Sequence, residues 1–309
     1  MSEEVLLGGQ AVLEGVMMRA PGAYAVAVRR KDGEVVTLRR EVIRLSDRYP
    51  LLKMPVLRGV VVLFQSLALG IRALNYSAEQ VLEEEQTSKA DQKSSAGGWG
   101  IFASLTAALA FALGLFFYLP LLLTESLARV APILSGSLPF NLVEGAIRIV
   151  LFIGYILAIS ALADMRRVFQ YHGAEHKVVS TYEAGEPLTV EYARSHSTLH
   201  PRCGTSFLLF VMVISVLIFS LVPASSTFVV KLASRLLLLP LIAGLSFELL
   251  RSSARNRRRL IYSALVTPGM WLQRLTTREP NDDQLQVAIE ALRVALGGVL
   301  PDRREVVPL

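Results

Sequence analysis

Cysteine and histidine are scarce in this chain. Its 309 residues include one cysteine and four histidines. A single cysteine excludes an intramolecular disulfide, which fits a reducing compartment. The first residues also lack the apolar segment of a secretory signal, because residues 2–4 are polar or acidic. A disulfide-rich secreted domain is therefore not expected.

Charge is missing from one long segment. Trp99 to Leu123 contains 25 residues and no charged side chain. A helix of that length is roughly 37 Å long, which exceeds the roughly 30 Å hydrocarbon core of a bilayer. The segment therefore predicts a membrane span, and the mean hydropathy of +0.46 agrees with a membrane protein.

Three other apolar segments predict further spans, namely Val143 to Ala163, Phe207 to Val222 and Phe228 to Leu250. The last carries Lys231 and Arg235 near its start, and these charges would need to snorkel or to face a polar cavity. A fifth segment, Pro55 to Ile71, has basic residues at both ends and Arg58 one turn inside. That pattern is typical of an interfacial or re-entrant helix.

The basic residues beside the short loops predict an orientation. Residues 124–142 hold one basic residue and 223–227 hold none, whereas Arg166, Arg167 and the tract 251–259 lie at the opposite ends. Lysine and arginine resist translocation, so both termini are expected in the cytoplasm, with the chain crossing the cytoplasmic membrane several times. Much of the net charge of +6 lies in that tract. Anionic headgroups are its nearer counter-charge, so the lipid bilayer is an expected partner and nucleic acid is not.

Both ends of the chain predict soluble structure. Gln10 to Arg19 alternates loosely as a strand does, and Ala23 to Arg30 and Glu34 to Arg44 flank the turn 31–33, which predicts a β-hairpin. Near the other end Asn281 predicts a helix N-cap, followed by an amphipathic helix that stops at the glycines 297 and 298.

The expected fold class is mainly α: a polytopic membrane protein with about four transmembrane helices, one interfacial or re-entrant helix and a small cytoplasmic β-hairpin region. Residues 1–50 form the β-rich segment, 51–75 the interfacial helix and 76–98 a flexible polar linker. Residues 99–250 form the transmembrane bundle, including a cytoplasmic histidine and cysteine segment at 164–206. Residues 251–309 hold the basic tract and the C-terminal helix.

All four histidines and the cysteine lie between residues 172 and 203. His172 and His176 are four residues apart, so on a helix they share one face and can bind one metal ion. Glu175 lies beside them, in the order H-x-x-E-H in which a glutamate polarises a zinc-bound water. Gly173 weakens the expectation of a helix here.

A second half-site follows in the order H-P-x-C. His200 and Cys203 could complete a tetrahedral His/Cys set, for which a divalent metal, zinc above all, is the expected cofactor. Arg202 would orient an anionic or peptide substrate, or anchor a lipid headgroup. Plainer interpretations remain open: His172 at the membrane interface, Cys203 as a small buried apolar residue, and Glu175 paired with Lys177 or an arginine.

Three more residues are possible additions to the site. His196 stands in a polar run, which favours a surface position over a ligand role. Glu14 is an extra acid, or a hairpin charge docked on its own domain; on one regular strand it would face away from Arg19. Glu248 lies near the inner end of the fourth span, where Arg251 could neutralise it or it could serve as a carboxylate ligand.

Four strings in this chain resemble the YqhQ family of bacterial integral membrane proteins. They are GGQAVLEGVMMRAPG (Gly8 to Gly22), YHGAEHKVV (Tyr171 to Val179), HPRCGTSF (His200 to Phe207) and TTREPNDDQLQVAIEAL (Thr276 to Leu292). The resemblance implies a membrane location and a metal-dependent enzyme. It implies no substrate, and His196 lies outside the four strings.

Two classes of function follow from these residues. In the first, the chain is a membrane-embedded metal-dependent hydrolase in which Glu175 activates water and Arg202 orients the substrate. In the second, it is a scaffold or assembly partner with a closed structural metal site and an unknown protein or small-molecule partner. The number of protein ligands distinguishes the classes, because four would leave no position for water.

Overall fold

The structure is a computed structural model that describes residues 7–42, 45, 49–88, 98–201, 203–255, 260–297 and 304–305. Most of these residues are helical. A small N-terminal sheet, covered by helices on both faces, adjoins a bundle of apolar helices. The mainly helical class with an N-terminal β region is therefore confirmed.

The sheet is an antiparallel meander of β1 (Gly8–Val12), β2 (Gly15–Ala20), β3 (Ala23–Arg29) and β4 (Val35–Glu41). A two-residue strand β5 (Arg304–Glu305) pairs parallel with β4. The predicted turn before β4 is confirmed. The single strand predicted over 10–19 is wrong, because a tight turn at Leu13 and Glu14 divides it into β1 and β2. Glu14 has a φ of +50° there, which places it outside either strand.

The part of the chain that the structure describes contains eleven α-helices. In chain order α1 to α11 are Leu57–Ser88, Gly98–Leu113, Leu119–Ala128, Ser137–Ser160, Ala163–Glu183, Val190–Ser195, Gly204–Phe219, Phe228–Leu237, Leu239–Arg255, Leu260–Thr276 and Asp282–Ala295. A π-helical turn, Gly114–Tyr118, joins α2 to α3. Short 3-10 helices cover Pro50–Lys53 and Pro132–Ser135.

The sheet buries both of its faces because its strands alternate between two apolar sets. One face packs on α5 and α11, with Val16 and Met18 facing Leu285 and Leu292. The predicted N-cap is confirmed: Asn281 and the side chain of Gln284 form a reciprocal capping box that begins α11. Helix α5 carries His172 and His176, so this packing fixes the position of both histidines.

The other face of the sheet packs on α1. Leu69 and Ala73 of that helix are buried against the sheet, and Ser77 accepts a hydrogen bond from the backbone of Leu13. The earlier part of α1 packs on α9, where Gly59 lies against Gly244. Residues 76–88 continue α1 as helix, which differs from the linker predicted over 76–98; residues 89–97 lie outside the described residues.

Three helical segments are long and apolar enough to cross a membrane: Leu57–Val81, Thr106–Ala128 and Ser137–Ser160. The pair Phe228–Leu237 and Leu239–Ser252 passes the same test together, with a bend of 46° between its halves. Phe207–Phe219 is a shorter apolar helix. By length and composition the described chain thus holds three such helices, or four if the bent pair is one span.

Two features of the bundle were not predicted in full. Lys231 and Arg235 point inward and are buried, with 2% and 1% of their surface exposed, so they pair inside the bundle rather than snorkel. Helix α10, which lies between the basic tract 251–259 and the C-terminal helix, was not predicted, and Pro268 lies within it. The end of α10 matters because it supplies Gln273 and Thr276 to the site.

Candidate metal centre

Helix α5 carries both histidines of the HGAEH string on one buried side. Gly173 does not interrupt this helix, contrary to its expected effect. A Cβ atom at position 173 would lie 2.1 Å from the carbonyl oxygen of Arg278. Glycine is therefore needed for the segment after α10 to approach α5 closely, and that approach brings Thr276 to His172.

Three of the four predicted ligands come together. The potential ligand atoms of His172, His176 and Cys203 all lie within 4.8 Å of one another. Cys203 Sγ is 3.3 Å from His172 Nε2, and the two imidazole rings are 4.4 Å apart between centroids. Sulfur and nitrogen ligands of one tetrahedral zinc ion are separated by about 3.5 Å, so the observed separation suits a shared ion.

The outer hydrogen bonds of the two histidines determine which nitrogens face the centre. His172 Nδ1 lies 2.8 Å from the carbonyl oxygen of Thr276, and His176 Nδ1 lies 2.5 Å from that of Thr198. A carbonyl oxygen only accepts, so each Nδ1 donates and each neutral ring keeps its lone pair on Nε2. Such outer carbonyl partners are typical of metal-ligating histidines.

His176 Nε2 is the observation that points most directly to a ligand. It is buried and has no hydrogen-bond partner among the described residues, and the whole residue is 1% exposed. Buried polar atoms are nearly always partnered, because leaving one unpaired costs about 1–3 kcal/mol. A metal ion on this lone pair would satisfy it, so the residues present fit the predicted group.

Glu175 is buried next to this nitrogen. Its Oε2 lies 3.5 Å from His176 Nε2 without forming a hydrogen bond to it, and the two atoms are close enough to face one small bound group. Lys177 is not its partner, contrary to the plainer interpretation: the Lys177 ammonium pairs with Glu279 at 2.6 Å.

Lys177 connects the two segments that support the histidines. It is 3% exposed, and its Nζ donates to the carbonyl oxygens of Arg194 (2.9 Å) and His196 (2.7 Å). These carbonyls belong to the end of α6 and the loop after it, which provides Thr198, while Glu279 follows Thr276 on the other segment. One buried ammonium therefore holds both carbonyl-bearing segments against α5.

His200 lies beside the three-residue group rather than in it. Gln273 binds its backbone on both sides, accepting from His200 N–H and donating to its carbonyl, each at 2.8 Å. The His200 ring is 5.7 Å from that of His176, and its Nε2 is 3.5 Å from Glu183. That nitrogen is also buried without a hydrogen bond within the described part of the chain.

The additional candidates lie apart from the three-residue group. His196 binds Glu186 (2.7 Å), and Glu248 binds Arg58 (2.6 Å), a partner that the expected pairing with Arg251 did not anticipate. Glu14 pairs with Arg167. Arg202 lies outside the described residues.

Tyr171 of α5 lies next to Glu14 of the β1–β2 turn. Its hydroxyl is 3.5 Å from Glu14 Oε2. Burial, and then the negative charge of Glu14, raise the pKa of this phenol, so it stays protonated and can donate to the carboxylate. The Glu14, Arg167 and Tyr171 contacts dock the β1–β2 turn on α5, which agrees with the plainer interpretation of Glu14.

Sequence reasoning missed the supporting residues. Lys177 follows His176 directly and Gln273 precedes Thr276 by three residues, but neither residue type at either spacing indicates a role. Gly9 was also missed, although a Cβ there would lie 2.6 Å from Glu175 Cγ. The one indication in the sequence was position, because each of these residues lies in or near one of the four family strings.

The chain thus combines helical segments apolar enough for a membrane with a His/Cys group formed by α5 and the start of α7. It belongs to a family described as a protein of unknown function (DUF1385), whose pattern matches residues 54–298. One relative is the protein of Bacillus subtilis (strain 168) named "Uncharacterized protein YqhQ". It is 36% identical over 300 residues, which cover 94% of this chain and 92% of that protein. The resemblance to the YqhQ family is thus confirmed. No solved structure matches the chain.

Proposed function

We propose that the chain is a multi-pass protein of the cytoplasmic membrane with both termini and the His/Cys group on the cytoplasmic side. The apolar helices support the location, and the basic residues after α4 and α9 support the orientation.

Helix α1 is apolar enough to cross a membrane, but we do not assign it as a span. From Ser66 onward one side of α1 contacts the sheet: Arg19 donates to the hydroxyl of Ser66, and the backbone of Leu13 donates to that of Ser77. A sheet with charged side chains is not stable in the hydrocarbon core of a bilayer. We therefore assign α1 to the membrane surface, as the sequence predicted.

Within this arrangement we assign a zinc-type metal site to His172, His176 and Cys203. The observation that carries the assignment is the buried, unpartnered Nε2 of His176, on a ring whose other nitrogen donates to a backbone carbonyl. A transition metal bound here would supply Lewis acidity. Three protein ligands are the usual number for a catalytic zinc site, since the fourth position is then open to water or substrate.

Glu175 provides the second part of a hydrolase. Its carboxylate lies 3.5 Å from the nitrogen that faces the centre, and Gly9 closes the space behind it. A buried carboxylate in that position can accept a proton from a water molecule and return it to a leaving group. The function that we propose is therefore a metal-dependent hydrolase acting at the cytoplasmic face of the membrane, and Arg202 remains its predicted substrate-orienting residue.

A structural metal site is the second candidate, and His200 favours it. Its Nε2 is buried without a hydrogen bond, and its ring is 5.7 Å from that of His176. Rotation of this ring toward the centre would provide a fourth ligand and close the site. The protein would then be a membrane scaffold in which metal binding contributes to folding.

The substitution Glu175→Gln separates the two candidates. In a hydrolase, the amide keeps the shape of the side chain and removes its ability to accept a proton. We expect the variant to keep normal metal content and thermal stability. It should fail to restore growth or viability to a deletion strain that the wild-type gene rescues. Full complementation by a stable, metal-loaded Glu175→Gln protein would favour the scaffold.

A further inference from the structure

A charged cluster lies inside the apolar bundle, away from the His/Cys group. Glu144 and Arg148 come from α4 and Arg235 from α8, and they are 1%, 6% and 1% exposed. Arg148 is the twelfth of the 24 residues of α4, about 17 Å from either end of that helix. The cluster is thus too deep for a lipid headgroup to reach along the helix.

Arg235 is completely satisfied within this cluster. Its guanidinium binds both oxygens of Glu144 and the side-chain oxygen of Asn141 (2.8 Å). Its remaining N–H groups donate to the carbonyl of Lys231 (3.2 Å) and the hydroxyl of Ser234 (3.1 Å). All five N–H donors of an arginine are used, and the negative charge of Glu144 directly faces this side chain.

Arg148 is satisfied only in part. It donates to Glu144 (2.7 Å), to the hydroxyl of Ser215 (3.0 Å) and to the carbonyl of Phe116 (2.9 Å) in the π-helical turn. These are three of its five donors, so two N–H groups have no acceptor among the residues that the structure describes. The rings of Phe117 and Phe219 both face the guanidinium, each with its centroid 5.5 Å away. A cation–π contact compensates a charge less than an anion does.

The charges of the cluster do not balance. Glu144 neutralises one of the two arginines that bind it. Lys231, the other buried cation of α8, has its own partner in Glu125 at 2.8 Å, and Glu248 pairs with Arg58. The two arginines share one carboxylate, so the cluster buries one positive charge more than its acid can neutralise, which is costly in an apolar interior.

We propose that Arg148 binds one small monovalent anion of the halide class inside the bundle. A single negative charge balances the cluster, and the two remaining N–H groups supply donors to it. A doubly charged phosphate or sulfate would leave one excess negative charge in the cluster in place of the excess positive charge. The site is separate from the metal centre and does not depend on it.

Chloride binding to the purified full-length protein in detergent tests this proposal. Chloride is titrated against gluconate at constant ionic strength and followed by the ³⁵Cl NMR linewidth. We expect saturable excess broadening that bromide displaces. Arg148→Gln should weaken chloride binding at least tenfold, and it should still fold because it leaves a balanced Glu144–Arg235 pair. Arg194→Gln, which alters an exposed ion pair with Asp282, is the control and should bind as wild type does.

Two results would overturn the proposal. One is the absence of saturable broadening with the wild-type protein, which needs no variant to interpret. The other is equal chloride affinity in the wild type and Arg148→Gln, since the anion would then bind elsewhere. Either result would make the cluster a structural connection between α4, α7, α8 and the π-helical turn.

Discussion

Gly9 on the first strand lies directly against the side chain of Glu175 on α5. A Cβ at position 9 would fall 2.6 Å from Glu175 Cγ and 2.9 Å from its Oε1. This contact joins the N-terminal GGQ string to the HGAEH string, which are more than 160 residues apart in the chain. The sheet therefore forms one wall of the candidate site.

Gly9→Ala should displace Glu175 and destabilise the protein by roughly 1–3 kcal/mol, since the added methyl group also meets the carbonyl of Met17. Thermal unfolding in detergent measures the change. Gly8→Ala is the matched control, because a Cβ at position 8 meets nothing within 4 Å. Equal melting temperatures for the two variants would show that this wall of the site is loose.

Lys177→Met should lower metal affinity by about 10- to 100-fold, which is the usual cost of removing a residue that orients the ligands. The loop bearing Thr198 and the segment bearing Thr276 would lose their shared ammonium. A competition titration with a chelating dye measures the affinity. Arg194→Ala is the control: it removes only an exposed ion pair, and the carbonyl that Lys177 binds remains. Unchanged affinity in Lys177→Met would remove Lys177 from the account of the site.

The sequence predicted the parts of the site that depend on local spacing. The four-residue spacing of His172 and His176 was enough to place them together once α5 formed. The H-P-x-C string did not show whether His200 or Cys203 joins the two histidines. Gln273, 73 residues away, holds the backbone of His200 and leaves Cys203 nearest to His172. Such a choice depends on tertiary contacts that spacing does not contain.

The fold was likewise predictable where it depends on local sequence and not where it depends on tertiary contacts. Alternation and the turn at 31–33 predicted strands, but the short turn at Leu13 and Glu14 was missed because its residues are not typical of turns. Helix α1 continues beyond residue 75, where Tyr76 and Val81 pack against the sheet. Local composition alone favoured a linker beyond residue 75. In α4, by contrast, Glu144 and Arg148 are four residues apart, a spacing from which their pairing could have been predicted.

The proposed orientation makes a prediction about accessibility. Cysteines introduced at Ser135 and Ser225, one at a time, should react with a membrane-impermeant maleimide added to intact cells, because both loops would face outward. Cys203 should react only after the membrane is opened. Labelling of Cys203 from outside, with protection of the two introduced cysteines, would invert the topology and place the site outside the cytoplasm.

The metal content of the purified protein tests the central claim most directly. Elemental analysis should find close to one transition-metal ion, zinc above all, per wild-type chain. His172→Ala, His176→Ala and Cys203→Ala should each reduce occupancy tenfold or more, because each removes a ligand. His196→Ala and Glu248→Gln should retain the metal, since those side chains bind Glu186 and Arg58 instead. Wild-type protein that binds no metal after incubation with zinc, or equal occupancy in His176→Ala and His196→Ala, would contradict the account.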